Sequence, residues 1–456
     1  MFAELKPYPE YKDFGEAWVG AIPVHWQSDR GKHLFVRMQR PVRDGEDTVT
    51  CFRDGIVTLR KNRRLRGYTE AIKELGYQGV RVGDLVIHAM DAFAGAVGVS
   101  DSDGKCSPVY QVCQPRGQAN SSYYAFLVRE MSRSRWITAL AKGIRERSTD
   151  FRYETFGGQI LPVPPPDEQA AIVRFLGAVD RKVNRLVRAK RKLIELLNEQ
   201  KQAIITHAVT EGLNPYAKLK PSGIDCLGEI PEHWVVSRIK NEMYCLNTRR
   251  IPLSGTERGK MTLRLYDYYG ASGVIDKVDD YLFDDNLLLI AEDGANLVLR
   301  NLPLAIIARG KFWVNNHAHI LKPMRGCLEY FAAVLESIDY SPWITGAAQP
   351  KLTQDRLMAI RIPAPPVAEQ HEIMAAVLES TQELTQAIDR ASREIDLIRE
   401  YRTRLIADVV TGKLDVRGFV PTEPMPADEP ADEPIEEVGL EDEEAELVQE
   451  AVDAAD

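Results

Sequence analysis

Apolar residues recur in steps of four and three along two long stretches of the chain. In the first, Ile172, Leu176, Val179, Val183, Leu186, Lys190, Leu193, Leu197, Gln200 and Ile204 fall on one stripe, with two polar interruptions. In the second, Ile373, Val377, Ser380 and Leu384 begin the stripe. A four-four step then leads to Ile388, Ala391, Ile395, Ile398, Arg402, Leu405 and Val409. This spacing predicts two long helices with a coiled-coil seam, and the extra residue is a stutter that shifts the stripe locally. Proline-rich segments precede both stretches, and Gly212 and Gly412 follow them as stop signals. A stripe this narrow needs a partner helix. The simplest partner is the other stretch; an intermolecular coiled coil is the alternative. The seam side chains expected to pack are Leu176, Val183, Leu193 and Leu197 in the first helix. In the second they are Leu384, Ile388, Ile395, Ile398 and Leu405.

Between the helical stretches lie two regions of mixed character, roughly residues 27–160 and 235–361. Strand-like runs stand at Asp84–Ala89, Asn286–Ala291 and Leu304–Ala308. Asp91 and Asp293 follow the first two runs at matching places, so the two regions are expected to share a fold.

The chain repeats itself. Trp18-Val-Gly-Ala-Ile-Pro-Val-His-Trp26 returns as Cys226-Leu-Gly-Glu-Ile-Pro-Glu-His-Trp234, shifted by 208 positions. The Pro-Pro-x-x-Glu-Gln words at Leu161–Gln169 and Ile362–Gln370 are shifted by 201, and Glu168–Thr210 aligns with Glu369–Thr411 without insertion. The expected organisation is an α+β chain of two mixed heads and two long helices: a head over 1–160, a helical segment over 161–214, a second head over 215–361 and a second helical segment over 362–418. A tail follows from 419 to 456. In the Ile-Pro-x-His-Trp words the prolines fix extended entry points, and Trp26 and Trp234 offer large surfaces to bury. Packing is therefore preferred to base stacking.

Charge changes the picture of the tail. Fifteen of the 67 acidic residues lie in Phe419–Asp456, which has no Lys or Arg, so the rest of the chain holds 52 acids against 58 bases. The body is mildly basic, which permits nucleic-acid binding. The tail has the composition of a disordered segment, and its plainest role is solubility. The alternative is an acidic mimic of DNA. The six cysteines (Cys51, Cys106, Cys113, Cys226, Cys245 and Cys327) form no Cys-x-x-Cys pair, the pattern of a reducing, intracellular protein. The sequence contains no apolar signal core and no run of 18 apolar residues. A cytoplasmic protein is expected.

Catalytic motifs are missing. No Asn/Asp-Pro-Pro-aromatic word and no Gly-x-Gly loop behind a strand would hold a target amine or an adenosyl cofactor. Gly98–Lys105 and Gly255–Met261 both fail the phosphate-loop spacing. His317 and His319 lack a convergent ligand set, so structural histidines are preferred to a metal site. Asp279-Asp280 and Asp284-Asp285 look like turn residues.

The positive signals are basic and aromatic clusters. Arg60, Lys61, Arg63, Arg64, Arg66 and Tyr68 fall within nine residues, and Arg145, Arg147 and Arg152 form a second set. The other head carries Arg249, Arg250, Arg258, Lys260 and Arg264, the tyrosines Tyr268 and Tyr269, and Arg309 and Lys311. Lys and Arg neutralise phosphates, and Arg also reads base edges bidentately. Each cluster alone would commonly be a solvated face. Their presence in both heads favours a DNA contact surface.

The repeated entry word, the Pro-Pro-x-x-Glu-Gln start of each long helix and their duplication around two diverged regions resemble the specificity subunits of Type I restriction–modification systems. The resemblance covers residues 1–418. It implies that each head is a target recognition domain reading one half of a bipartite, asymmetric site on double-stranded DNA. It also implies two spacer helices packed antiparallel, related by a pseudo-two-fold repeat. Two modification subunits would dock on this frame and transfer methyl groups from S-adenosylmethionine to adenine N6, and restriction subunits would use ATP and Mg for translocation and cleavage. This chain would then be non-catalytic, with no cofactor or metal of its own. The acidic tail departs from the family pattern. The alternatives are a DNA methyltransferase with degenerate motifs and a structural coiled-coil scaffold.

Overall fold

The computed structural model describes residues 5–63, 74–140, 150–224, 227–292, 303–345 and 351–420, together with Leu297 and Arg300. Arg64, Arg66, Tyr68, Arg145, Arg147, Cys226, Asp293 and the acidic tail beyond Val420 lie outside the described residues. The chain divides into two compact units. Of the described residues, one comprises 5–190 with 393–420, and the other lies within 191–392. Each long helix therefore contributes one half to each unit.

Both units are built on one plan. In the first, the hairpin Tyr11–Asp13 with Ala21–Pro23 leads into Gln27–Arg30, which pairs antiparallel with Ile160–Val163. In the second, Leu219–Pro221 pairs with Glu229–Pro231, and Val235–Arg238 pairs with Arg361–Ala364. The strand that enters each head is thus bonded to the strand that leaves it.

The heads then differ. The first holds a four-stranded antiparallel sheet in the order Phe35–Arg37, Tyr110–Pro115, Leu85–His88, Val97–Val99. The second holds six strands in the order Met243–Cys245, Ala318–Pro323, Phe283–Ala291, Ala305–Val314, Tyr266–Gly270, Gly273–Val278. All three strand-like runs of the sequence fall on these strands. Leu85, Val86 and Ile87, like Leu287–Ile290, are buried consecutively. A strand covered on both faces reads as a continuous apolar run rather than an alternation.

The long helices span Pro166–Glu211 and Val367–Val410. In the first unit Asp180 pairs with Arg402 at 2.7 Å and Lys190 pairs with Glu394, so one number falls as the other rises and the helices run antiparallel. Ile172, Leu176, Val179, Val183 and Val187 are buried there, as are Leu405, Ile406, Val409 and Val410. In the second unit Ala208 and Val209 share a core with Ile373, Val377 and the head helix Leu328–Ser337.

The seam needs one correction. Leu176, Val183, Ile395 and Leu405 are buried, and Leu197, Leu384, Ile388 and Ile398 are half-buried, but Leu193 is 42% exposed. The buried stripe steps from Val183 to Val187, not Leu186, and the half-buried residue on the next turns is Ile194. An α-helix of 3.6 residues per turn drifts about 20° per heptad against a strict seven-residue repeat. The drift accumulates along a helix this long, so a seam counted in strict heptads leaves the buried face.

Val183→Ala should lower stability by roughly 2 kcal/mol through the cavity it leaves, whereas Leu193→Ala should cost under about 1 kcal/mol. Urea midpoints of the two variants test this. Equal losses would restore Leu193 to the seam.

Candidate nucleic-acid interface

The repeated words meet in space as one junction, built twice. Trp26 is fully buried, and its indole N–H donates to Glu168 Oε2 at 2.9 Å while His25 Nε2 lies 2.7 Å from Glu168 Oε1. Trp234 is equally buried and donates to Glu369 Oε1 at 2.9 Å, with His233 Nε2 2.9 Å from Oε2. Each glutamate sits in the first turn of a long helix, where the aligned peptide dipoles favour a negative charge. A buried indole N–H needs an acceptor, and a buried carboxylate needs donors; each supplies the other.

The next residue ties the junction to the head. Gln169 Oε1 accepts from Asn120 N–H at 2.9 Å, and Gln370 Oε1 accepts from Cys327 N–H at 3.0 Å. Asn120 and Cys327 are the N-cap residues of Ser121–Arg133 and Leu328–Ser337. From those helices Tyr123 Oη donates to Val410 O at 3.0 Å, and Tyr330 Oη donates to Val209 O at 3.2 Å. Burial pushes both phenols far above their ordinary range, so they remain donors. Each head helix is thus bonded both to the start of one long helix and to the end of the other. Gly412 closes the second long helix in a left-handed conformation, and a Cβ there would lie 2.5 Å from Pro23 and 2.9 Å from the Trp26 ring. The packing role of Trp26 and Trp234 follows from this burial. The glutamate and glutamine belong to the repeated Pro-Pro-x-x-Glu-Gln word, whereas the tyrosine recurs at a different shift, 207 rather than 201, and no periodicity in the sequence joins it to them.

The basic candidates are placed unequally. Lys61 pairs with Asp47 at 2.6 Å. Arg63 pairs with Asp54 at 2.7 Å and lies over the Phe52 ring at 4.5 Å. Arg60 Nε donates to Thr50 Oγ1 at 3.2 Å, and Arg152 pairs with Asp150 at 2.5 Å. In the second head, Arg258 and Arg264 both reach Asp276 at 2.9 Å, and exposed Lys260 stands between them in sequence. Asp279 accepts from the backbone N–H groups of Thr262, Leu263 and Arg264 at 2.7–3.0 Å, which holds its carboxyl below the usual range and fixes the loop. This is the turn role read from the sequence. Arg249 is exposed over Phe283 at 4.7 Å, Lys311 lies over Tyr281 at 4.5 Å, and Arg309 pairs with Glu329 at 2.6 Å. A cation held by a surface carboxylate is already oriented and can exchange that partner for a phosphate at small cost.

Two candidates belong to the interior. Tyr268 is 2% exposed, and its hydroxyl accepts from Leu253 N–H at 3.1 Å. Alternation along Tyr266–Gly270 turns Tyr268 into the core and leaves Tyr269 half-buried against Phe312. Arg250 bonds Glu292 at 2.6 Å and the carbonyls of Asn316 and Ala318 at 2.9 and 3.0 Å, a full structural complement. His319 is buried, with Nε2 2.7 Å from the Leu352 carbonyl and Nδ1 2.8 Å from Asn247 Nδ2. Burial pushes the Cys106 and Cys113 thiols up to about 12, which keeps them protonated. Among the described residues no His, Cys, Asp or Glu group is placed to hold a metal, and no helix is long and apolar enough to cross a membrane.

Residues 231–391 match the family model for the Type I restriction modification DNA specificity domain. That span is one of the two repeats, and the other repeat is built on the same junction. The matched repeat is similar to the DNA specificity domain of type I systems. A type I restriction enzyme specificity subunit of Haemophilus influenzae is 36% identical over 120 residues, covering 26% of this chain and 30% of that protein. The MjaX specificity subunit of Methanocaldococcus jannaschii is 22% identical over 440 residues, covering 91% of this chain and all of that one. A chain solved in a study of assembly and conformational transition of the type I R-M system superposes with a TM-score of 0.56. It is 16% identical, covers 86% of this chain and 99% of its own length, and supports the fold alone. The matched span contains the second head, so the exposed cations there, not its core tyrosine, are the candidate DNA contacts.

Lys260→Ala and Arg264→Ala should each reduce the salt slope of DNA binding by about one unit per lost phosphate contact. Tyr268→Phe should leave that slope alone and cost about 1 kcal/mol of stability through its lost hydrogen bond. Fluorescence anisotropy over a salt series, run on the assembled complex, separates the two. A slope changed by Tyr268→Phe and untouched by the cation variants would invert the assignment.

Proposed function

We propose that this chain is the sequence-reading subunit of a type I restriction–modification complex, each head reading one half of a bipartite, asymmetric DNA site. The observation that carries this reading is the junction: one hydrogen-bonded frame is built twice and supports two different sheets. Equal frames with unequal heads suit one task performed on two different half-sites. Direct readout in the major groove needs a few side chains at defined positions, and a rigid junction beneath each head supplies that definition.

On this reading the chemistry belongs to partners. Two modification subunits carry S-adenosylmethionine and methylate adenine N6, and restriction subunits carry the ATP- and Mg-dependent steps. The chain itself is non-catalytic and works in the cytoplasm. On this reading buried Cys106, Cys113 and His319, the last held by the Leu352 carbonyl and the Asn247 amide, are structural side chains.

Purified alone, the chain should transfer no methyl group to DNA. Combined with its modification subunit and S-adenosylmethionine, it should direct adenine methylation at one split sequence, mapped by methylome sequencing. Replacing residues 243–323 with the corresponding segment of another family member should change one half of that sequence and leave the other. Methyl transfer by the isolated chain, or a swap that alters both halves, would overturn the proposal.

A further inference from the structure

The two junctions are not equally complete. In the first, the Glu168 side chain is 4% exposed and has four neighbouring donors. Besides His25 and Trp26 these are Tyr8 Oη at 3.1 Å and Arg417 Nη1 at 3.6 Å. Arg417 also lies over the Tyr8 ring at 5.0 Å and pairs with Asp415 at 2.7 Å. In the second junction the Glu369 side chain is 25% exposed, and among the described residues its donors are His233 and Trp234 alone.

The place of Arg417 is identifiable in the second unit. Arg417 N–H bonds Asp415 Oδ1 at 3.0 Å, and Tyr216 N–H bonds Asn214 Oδ1 at 2.9 Å, the same local turn. Tyr216 therefore follows this turn as Arg417 does, and by the 208-residue shift it also falls on Tyr8, but it is 91% exposed. Beside Glu369 a cavity of about 460 Å³ opens, lined by Glu211, Leu213, Asn214, Lys218, Glu232 and His233 among others. Three carboxylates face one lysine there. Such a cleft repels phosphate and attracts a cation, and a planar guanidinium matches a carboxylate bidentately.

We propose that the cleft beside Glu369 receives an arginine side chain from a protein partner, completing from outside the cluster that Arg417 completes around Glu168. This rests on the reading of the chain as a subunit that docks modification subunits, and it names one point of that docking. The partner arginine takes the position that Arg417 holds in the first junction, between the glutamate and the neighbouring polar wall.

Two substitutions outside the junction's own hydrogen bonds test it. Tyr216→Arg restores the missing side chain in cis at an exposed position; Glu232→Lys reverses a charge on the cleft wall. Glu229→Lys, on the neighbouring strand outside the cleft, is the control. Binding of the cognate modification subunit to the full chain is measured by titration, alongside thermal melting of the free chain. Tyr216→Arg should raise the melting temperature and weaken binding about ten-fold, Glu232→Lys should weaken binding comparably, and the control should do neither. Unchanged binding by both cleft variants, with normal assembly of the unaltered chain, would overturn the cleft assignment while leaving the proposed function standing. Failure of the unaltered chain to bind any modification subunit would overturn the proposed function instead. Weakened self-association in place of weakened subunit binding would identify the occupant as a second copy and would also overturn the proposal.

Discussion

A carboxylate at the first turn of each long helix, buried at Glu168 and half-buried at Glu369, sets the rest of the structure. Removing an ionised carboxylate from water costs several kcal/mol unless donors replace its hydration. Glu168 and Glu369 recover that cost from an indole N–H, an imidazole and the positive end of their own helix. None of these donors can leave without stranding the charge. The tryptophan is therefore fixed, and with it the glycine that stops the other long helix against the tryptophan ring. The crossing of helix end and helix start in each unit is thus a consequence of satisfying one charge.

Because the frame satisfies itself, the head above it is free to change. The links from frame to head are the glutamine that accepts from the head helix's N-cap residue and the tyrosine that reaches back to a helix-end carbonyl. Neither link touches the outer strands. The sheet can then have four strands in one head and six in the other without disturbing the junction. A recognition protein gains from this separation: loops and outer strands can be rebuilt for a new half-site while the geometry beneath them holds.

The sequence disclosed the order of elements because that order is written in local patterns. Heptad steps marked the helices, apolar runs marked the central strands, and repeated words marked the junction. It disclosed the junction's bonding poorly, since Trp26 and Glu168 are 142 positions apart and no periodicity links them. The basic candidates show the same limit. Arg250 reads as a surface cation until Glu292, 42 positions on, appears beside it. Tyr268 and Tyr269 are indistinguishable in composition, and only the strand's alternation separates the core residue from its half-buried neighbour. Leu193 failed for a subtler reason: the helix keeps its own 3.6-residue pitch, so the stripe moved to Ile194.

The inequality of the two junctions has a covalent origin. Around Glu168 the chain arrives from two directions, with Lys6 and Tyr8 from the N-terminal side and Asp415, Arg417 and Phe419 from the C-terminal side. Lys6 and Asp415 join in a bridge, and Phe419 packs on Phe175. Around Glu369 a single continuous segment, residues 212–219, must both leave the long helix and enter the hairpin at Leu219. One passage of chain cannot supply the side chains of two. Volume is left beside the glutamate, and the tyrosine that follows the shared turn is carried outward by the need to continue into the strand. The cleft is therefore built into the connectivity of a duplicated chain: the copy reached by two separate passages of chain is closed by both, and the copy served by a single linker stays open.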